Sequence, residues 1–235
     1  DIVHYDLKIE NILIDKFKYI PIIIDFGISI NINNITQENL KDNFYIFAPE
    51  YYPWGYDVHI INYIIHNKEN DSIIKLIELE EITDRFILNN APLQSLSKTF
   101  QESYKKKCNK YASQFDNKST KFVYNNLIKN YKKWDIYSIC IMFIKIITNV
   151  FNNNYPKTIL LNDITKFLLI NISPDPDDRL DFNEIFKYLE YLISKQNSII
   201  DIQNTIEAIT IDKENLLNSF SIDNLSLKKI IKKDF

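Results

Sequence analysis

Two short apolar runs stand near the start of the chain, at Ile12–Ile14 and at 22–24. Both consist of Ile or Leu and are too short for helices, so they predict two β-strands. The polar stretch Asp15-Lys16-Phe17-Lys18 between them predicts a turn and therefore a β-hairpin. Because a hairpin brings its outer ends together, we expect the side chains of Asn11 and Asp25 to meet.

Further along the chain, apolar residues recur at helical spacing. The stretch 135–148 is apolar nearly all round, which predicts a buried helix with Asp135 as its N-terminal cap. Amphipathic helices are predicted at 159–172 and 181–194. A helical tail is predicted at 195–235, where four isoleucines suggest an apolar face that packs onto the rest: Ile202, Ile206, Ile209 and Ile211.

Composition narrows the class of protein. The chain has 235 residues, ample for a core, and its net charge of −3 argues against bulk nucleic-acid binding. Its two cysteines cannot form a disulfide framework, so a reduced intracellular setting, the cytoplasm, is expected. No apolar run was found that reaches the roughly 20 residues of a membrane span, so no membrane association is expected.

Polar residues around the hairpin belong to an ordered series of motifs. The chain reads His-Tyr-Asp-Leu-Lys-Ile-Glu-Asn at 4–11, Asp-Phe-Gly at 25–27, Ala-Pro-Glu at 48–50, Asp-Ile-Tyr-Ser at 135–138 and Asp-Pro-Asp-Asp-Arg-Leu at 175–180. The series resembles eukaryotic-type serine/threonine protein kinases, whose catalytic loop is H-R-D-L-x-x-x-N and whose metal-binding element is D-F-G. The resemblance implies a protein-kinase-like α+β fold, with this chain as its mostly α-helical C-terminal lobe carrying a small β-hairpin.

The resemblance also implies roles for single residues. Asp6 would accept the proton of a Ser or Thr hydroxyl on a protein substrate, and Lys8 would neutralise charge on the transferred phosphate. Asn11 and Asp25 would bind Mg²⁺ together with ATP. Other residues would have structural roles. His4, Phe26 and Gly27 would support or form the D-F-G loop, and Asp135 would hold the catalytic loop. Glu50 and Arg179 would form a buried ion pair.

Two positions depart from the family pattern. Tyr5 replaces the usual Arg, which pairs with a phosphate on the activation segment, so activation by phosphorylation is less expected here. The activation segment would be 28–47, polar and mobile. Within it, Asp42-Asn43 replaces the family's Gly-Thr, whose Thr braces the catalytic Asp and Lys. Asn43 can still form hydrogen bonds.

The motifs divide the chain into four parts. Residues 1–57 carry the catalytic loop, hairpin, D-F-G and A-P-E; 133–194 hold the central and late helices; and 195–235 form the tail. Between them, 58–132 interrupts the family pattern and is expected to be a separable helical insertion. Its basic stretch 104–107 is either a solvated helix face or a docking site for an acidic partner.

Other readings remain open. The family's Gly-rich loop and strand Lys, which lie in an N-terminal lobe, are absent from this chain, so that lobe is an expected partner and the chain alone should transfer little phosphate. A catalytically weak or inactive kinase-like module for protein–protein interaction is the main alternative. A small-molecule kinase of the aminoglycoside or choline type is another. The abundance of Ile, Asn and Lys suggests an AT-rich genome, so the cytoplasm of a virus-infected host cell is also considered.

Overall fold

The computed structural model describes residues 1–69, 71–151 and 158–195. This part is mostly helical, with four short strands: β1 (Ile2–Val3), β2 (Ile12–Ile14), β3 (Pro21–Ile23) and β4 (Ile30–Asn31). Its helices are α1 (Leu40–Asn43), α2 (Tyr56–Asn67), α3 (Leu76–Asn89), α4 (Ala91–Gln94), α5 (Lys98–Ser113), α6 (Thr120–Leu127), α7 (Trp134–Phe151), α8 (Ile159–Asn171) and α9 (Phe182–Lys195). The predicted tail beyond Lys195 lies outside the described residues.

The predicted hairpin is present. Strands β2 and β3 pair antiparallel, with Ile12 opposite Ile23 and Ile14 opposite Pro21. β3 lies one residue earlier than the predicted run 22–24, and the connection, 15–20, extends two residues past the predicted turn. A second antiparallel pair, β1 with β4, was not predicted. It links the residues just before the 4–11 loop to the 28–47 segment.

Helix α7 is central to the hydrophobic core, as its apolar sequence predicted. Its side chains Tyr137, Ile141 and Ile144 are buried, and the helix packs against α4 and α8. The core continues into the 58–132 region, where Ile60 and Leu127 are fully buried in the same cluster. That region is helical and shares one core with α7, which argues against the expectation that it is separable.

The surface of the 58–132 region supports the simpler interpretation of its basic stretch. Tyr104 is buried, and its hydroxyl donates a hydrogen bond to the carbonyl of Ile172. Lys105 forms an ion pair with Asp84 on α3.

Both cysteines of the chain, Cys108 and Cys140, are free and buried.

One helical run meets the length and composition of a membrane span, contrary to the sequence-based expectation. It covers Thr120–Phe151, and 56% of its most apolar window is buried inside the protein. The central helix of a folded core passes the same test, so this run is weak evidence for a membrane.

Candidate functional site

The side chains of Asp6, Lys8 and Asn11 form one contact network in the loop before the hairpin. A single 3₁₀ turn, Ile9–Asn11, returns the chain toward Asp6 just before β2 begins. Asn11 Nδ2 donates to Asp6 Oδ2 and to the Asp6 carbonyl, each at 2.9 Å. Lys8 Nζ lies 2.8 Å from Asp6 Oδ2. Three of the four residues to which the resemblance gives catalytic or cofactor roles therefore lie together.

His4 joins this loop to the end of the hairpin. Its Nδ1 accepts a hydrogen bond from the Asp6 amide at 3.3 Å, which leaves Nε2 as the donor to the Ile24 carbonyl at 2.9 Å. The ring also contacts Phe26, with centroids 4.7 Å apart. His4 thus fixes the loop that carries Asp6 against the segment that carries Asp25.

Asp25 lies at the outer end of the hairpin, and Asn11 stands at the outer end of the opposite strand. The Ile24 amide donates to the Asn11 carbonyl at 2.9 Å, so the backbones of the two outer ends meet, while the meeting of the Asn11 and Asp25 side chains stays a prediction. Asp25 is exposed and has a left-handed backbone, with φ of 63°. Tyr5 is also left-handed, with φ of 67°. Such conformations in residues other than glycine are costly and concentrate at functional sites.

Asp135 holds the 4–11 loop from the central helix. Its carboxylate accepts from the His4 amide at 2.8 Å and from the Tyr5 amide at 3.1 Å. Burial raises the pKa of Asp135, and these two amides oppose that rise. The residue lies inside the first turn of α7, which begins at Trp134, so the predicted N-cap is wrong. The contact with the loop is the one the resemblance implies.

Tyr5, which replaces the family's Arg, is buried in an aromatic cluster. Its ring packs on Trp54 at 4.6 Å and meets Phe44, from the 28–47 segment, edge-on at 5.7 Å. Its hydroxyl accepts a hydrogen bond from Asn62 Nδ2 at 3.0 Å. Where the protein kinases that the chain resembles carry a positive charge, Tyr5 is held by ring packing and one hydrogen bond.

Helix α2 contributes a second contact to the same segment. His66 Nε2 donates to the Phe44 carbonyl at 2.7 Å. The Phe44 ring is almost fully buried and meets Tyr124 and Trp134 edge-on, at 6.3 and 6.2 Å. Side chains from the 58–132 region therefore hold the 28–47 segment in place.

Arg179 forms a buried ion pair, but its partner is Asp57. The Nη2 to Oδ1 distance is 2.8 Å, and both side chains are fully buried. Glu50 is exposed, so the predicted pair between Glu50 and Arg179 is wrong. The physical reason lies in Gly55: a Cβ there would come within 2.6 Å of Asp57 Oδ1, and its absence lets the start of α2 approach the guanidinium.

Tyr51 is a site residue that sequence reasoning missed. Its hydroxyl donates a short hydrogen bond to Asp6 Oδ1. Asn43, the predicted substitute for the family's Thr brace, instead donates to the Asn39 carbonyl at 2.8 Å. Tyr51 follows directly after the Ala-Pro-Glu motif, and no spacing rule marked it.

The oxygen donors at the site fit Mg²⁺ bound together with a nucleotide. Asp25 offers an exposed carboxylate, and because Asn11 uses its Nδ2 group on Asp6, its amide oxygen is the atom left for a cation. Mg²⁺ commonly takes one or two carboxylates and completes its shell with phosphates and water. In residues 1–69, 71–151 and 158–195, no group of three or more His, Cys, Asp or Glu side chains could hold a metal alone.

Comparisons with known proteins add no relatives. No protein-family model, curated protein or solved structure matches this chain.

Proposed function

We propose that the chain is the C-terminal lobe of a serine/threonine protein kinase, which transfers the γ-phosphate of ATP to protein hydroxyls. The observation that carries this proposal is the network of Asp6, Lys8 and Asn11, tied through His4 to the backbone beside Asp25. Phosphoryl transfer depends mainly on positioning and charge neutralisation, which such a network can provide.

Each residue has a role in this proposal. Asp6 accepts the proton of the substrate hydroxyl, and Lys8 places a positive charge near the transferred phosphate. Asn11 and Asp25 would hold Mg²⁺, which would supply charge neutralisation at the phosphates. The left-handed Asp25 backbone, in an exposed position, is consistent with a side chain directed by function rather than by packing.

An N-terminal lobe is part of the proposal, because the protein kinases that the chain resembles bind ATP between two lobes. The hairpin beside Asp25 supports it. Six large apolar side chains there are between 45% and 95% exposed: Leu13, Ile14, Phe17, Ile20, Ile22 and Ile23. Patches of this kind mark interaction surfaces. A lobe resting on this hairpin would close a cleft over Asp25.

The test compares nucleotide binding and phosphate transfer in the full-length protein. With Mg²⁺ and radiolabelled ATP, wild type should label Ser and Thr in a generic protein substrate. Asp25→Asn should abolish transfer and weaken binding of Mg²⁺ with ATP, because a neutral amide replaces a charged ligand. Asp6→Asn should lower the rate about 10²–10⁴-fold and leave nucleotide binding intact.

A matched control and a contrary outcome complete this test. Asp177→Asn makes the same chemical change at an exposed carboxylate of the 175–180 turn and should leave both readouts unchanged. Equal labelling by wild type and Asp25→Asn would point to a contaminating kinase and contradict the proposal.

One observation favours a second candidate, a kinase-like module that binds proteins without catalysis. Asn43 does not contact Asp6, and the hydroxyl of Tyr51 takes up an acceptor position on that carboxylate. A full-length protein that binds Mg²⁺ and ATP but transfers no phosphate would support this candidate.

A further inference from the structure

The carboxylate of Asp6 has a complete set of hydrogen-bond donors. Oδ1 accepts from Lys8 Nζ at 3.1 Å and from the Tyr51 hydroxyl. Oδ2 accepts from Lys8 Nζ at 2.8 Å and from Asn11 Nδ2 at 2.9 Å. An ionised carboxylate has about four acceptor positions. A substrate hydroxyl can therefore donate to Asp6 only after one of these donors has moved.

Tyr51 has little freedom to move. Its side chain is buried, and its ring meets Trp54 edge-on with centroids 5.1 Å apart. Its amide donates to the Ala48 carbonyl at 3.0 Å, and its own carbonyl accepts from His59 Nε2 at 3.2 Å. Burial, together with the charge of Asp6, raises the pKa of Tyr51 well above its usual value, so the hydroxyl remains a donor.

Lys8 is the donor that can leave. Its ammonium group is carried on a flexible four-carbon stem, and the side chain is 16% exposed, against 9% for Asp6. Lys8 also holds both carboxylate oxygens, so its departure opens one acceptor position on each. Asn11 is fixed by its second hydrogen bond, to the Asp6 carbonyl.

We infer that Tyr51 is a positioning residue that holds the Asp6 carboxylate while Lys8 moves to the transferred phosphate. This inference rests on the proposed function. In the transfer, the substrate hydroxyl gives its proton to Asp6, its oxygen bonds to the γ-phosphorus, and the bond from that phosphorus to the oxygen of the departing ADP breaks. Tyr51 replaces the brace that the resemblance assigned to position 43, because Asn43 is turned toward Asn39.

Tyr51→Phe in the full-length protein tests the inference, because the change removes one hydroxyl and keeps the ring. We expect kcat to fall about tenfold to a hundredfold, the scale of a hydrogen bond to a charged group, while KM for ATP stays unchanged. Tyr52→Phe is the matched control: it makes the same change at the neighbouring position, where the hydroxyl accepts from Lys145 Nζ at 3.2 Å, so kcat should not change. An unchanged kcat in Tyr51→Phe would overturn the inference. A raised kcat would do the same, because it would identify Tyr51 as a block to the substrate.

A second readout separates this inference from the proposed function. Urea unfolding of wild type, Tyr51→Phe, Asp6→Asn and the double variant measures whether the two residues are energetically coupled. We expect the double variant to lose less stability than the sum of the single losses. If wild type transfers no phosphate, the proposed function fails, and this cycle still decides whether Tyr51 holds Asp6. Additive losses would overturn the inference even if the protein is an active kinase.

Discussion

The buried pair of Arg179 and Asp57 gives the sharpest prediction about stability. Arg179 Nη2 lies 2.8 Å from Asp57 Oδ1, and Arg179 Nε donates to the Ser173 carbonyl at 2.7 Å. The other Asp57 oxygen accepts from Trp134 Nε1 at 2.8 Å. Arg179→Met would leave the Asp57 carboxylate buried with one neutral donor. We therefore expect it to lower the free energy of unfolding by about 3–5 kcal/mol.

The structure also ranks the variants. Arg179→Met removes the donor to the Ser173 carbonyl as well, and a buried acceptor without a partner costs about 1–3 kcal/mol, so this variant should lie at the upper end. Asp57→Asn keeps an oxygen that can accept from Trp134 or Arg179, so it should lie at the lower end. The double variant should cost clearly less than the sum, because neither change then leaves a buried charge opposite a neutral group.

Urea unfolding monitored by tryptophan fluorescence provides the assay, since Trp54 and Trp134 are both buried. Glu50→Gln is the control: because Glu50 is exposed, its effect should stay within about 0.5 kcal/mol. An effect of Glu50→Gln equal to that of Asp57→Asn, or additive losses in the double variant, would refute the assignment of Asp57 as the partner.

Two further predictions concern the 58–132 region. Deleting it and joining its ends with a short linker should unfold the rest, because Ile60 and Leu127 belong to the same core as α7; circular dichroism of the purified deletion variant checks this, and a cooperative thermal transition would show that the region is separable. Burial lowers the pKa of His59 to about 4, so the unfolded chain binds a proton more readily than the native protein between about pH 6.5 and 4. Stability from this residue is therefore complete above about pH 6.5 and falls by up to about 1.4 kcal/mol per pH unit as the pH drops toward 4. Urea midpoints against pH should show this loss in wild type and not in His59→Gln.

Local patterns predicted the hairpin and the late helices well. The apolar runs and polar turn predicted two paired strands, and that pairing brings Asn11 to the backbone beside Asp25. Helices α8 and α9 begin and end within one residue of the predicted bounds, because 3.6-residue periodicity is a property of the local sequence.

The contacts of the site were less predictable, because they join distant parts of the chain. Tyr51 reaches Asp6 across 45 positions, and no local rule assigns a partner to a tyrosine after an Ala-Pro-Glu motif. Glu50 was the predicted partner of Arg179, but the partner in the structure is Asp57. Which carboxylate pairs with Arg179 depends on how closely the start of α2 approaches the guanidinium. That approach is possible only where Gly55 carries no side chain.

The 58–132 region supplies one of the contacts that the buried Tyr5 side chain needs. An Arg at position 5 would need a phosphate or a carboxylate as partner, whereas a buried Tyr needs apolar neighbours and one partner for its hydroxyl. Asn62 supplies the hydroxyl partner, while the rings of Phe44 and Trp134 contact the Tyr5 ring and each other. Burial of aromatic surface does not depend on a removable phosphate, so we expect the 28–47 segment to keep its position whenever the protein is folded. In such an arrangement, the 28–47 segment takes its position when the protein folds. The helices of the 58–132 region then help to hold the candidate site in place.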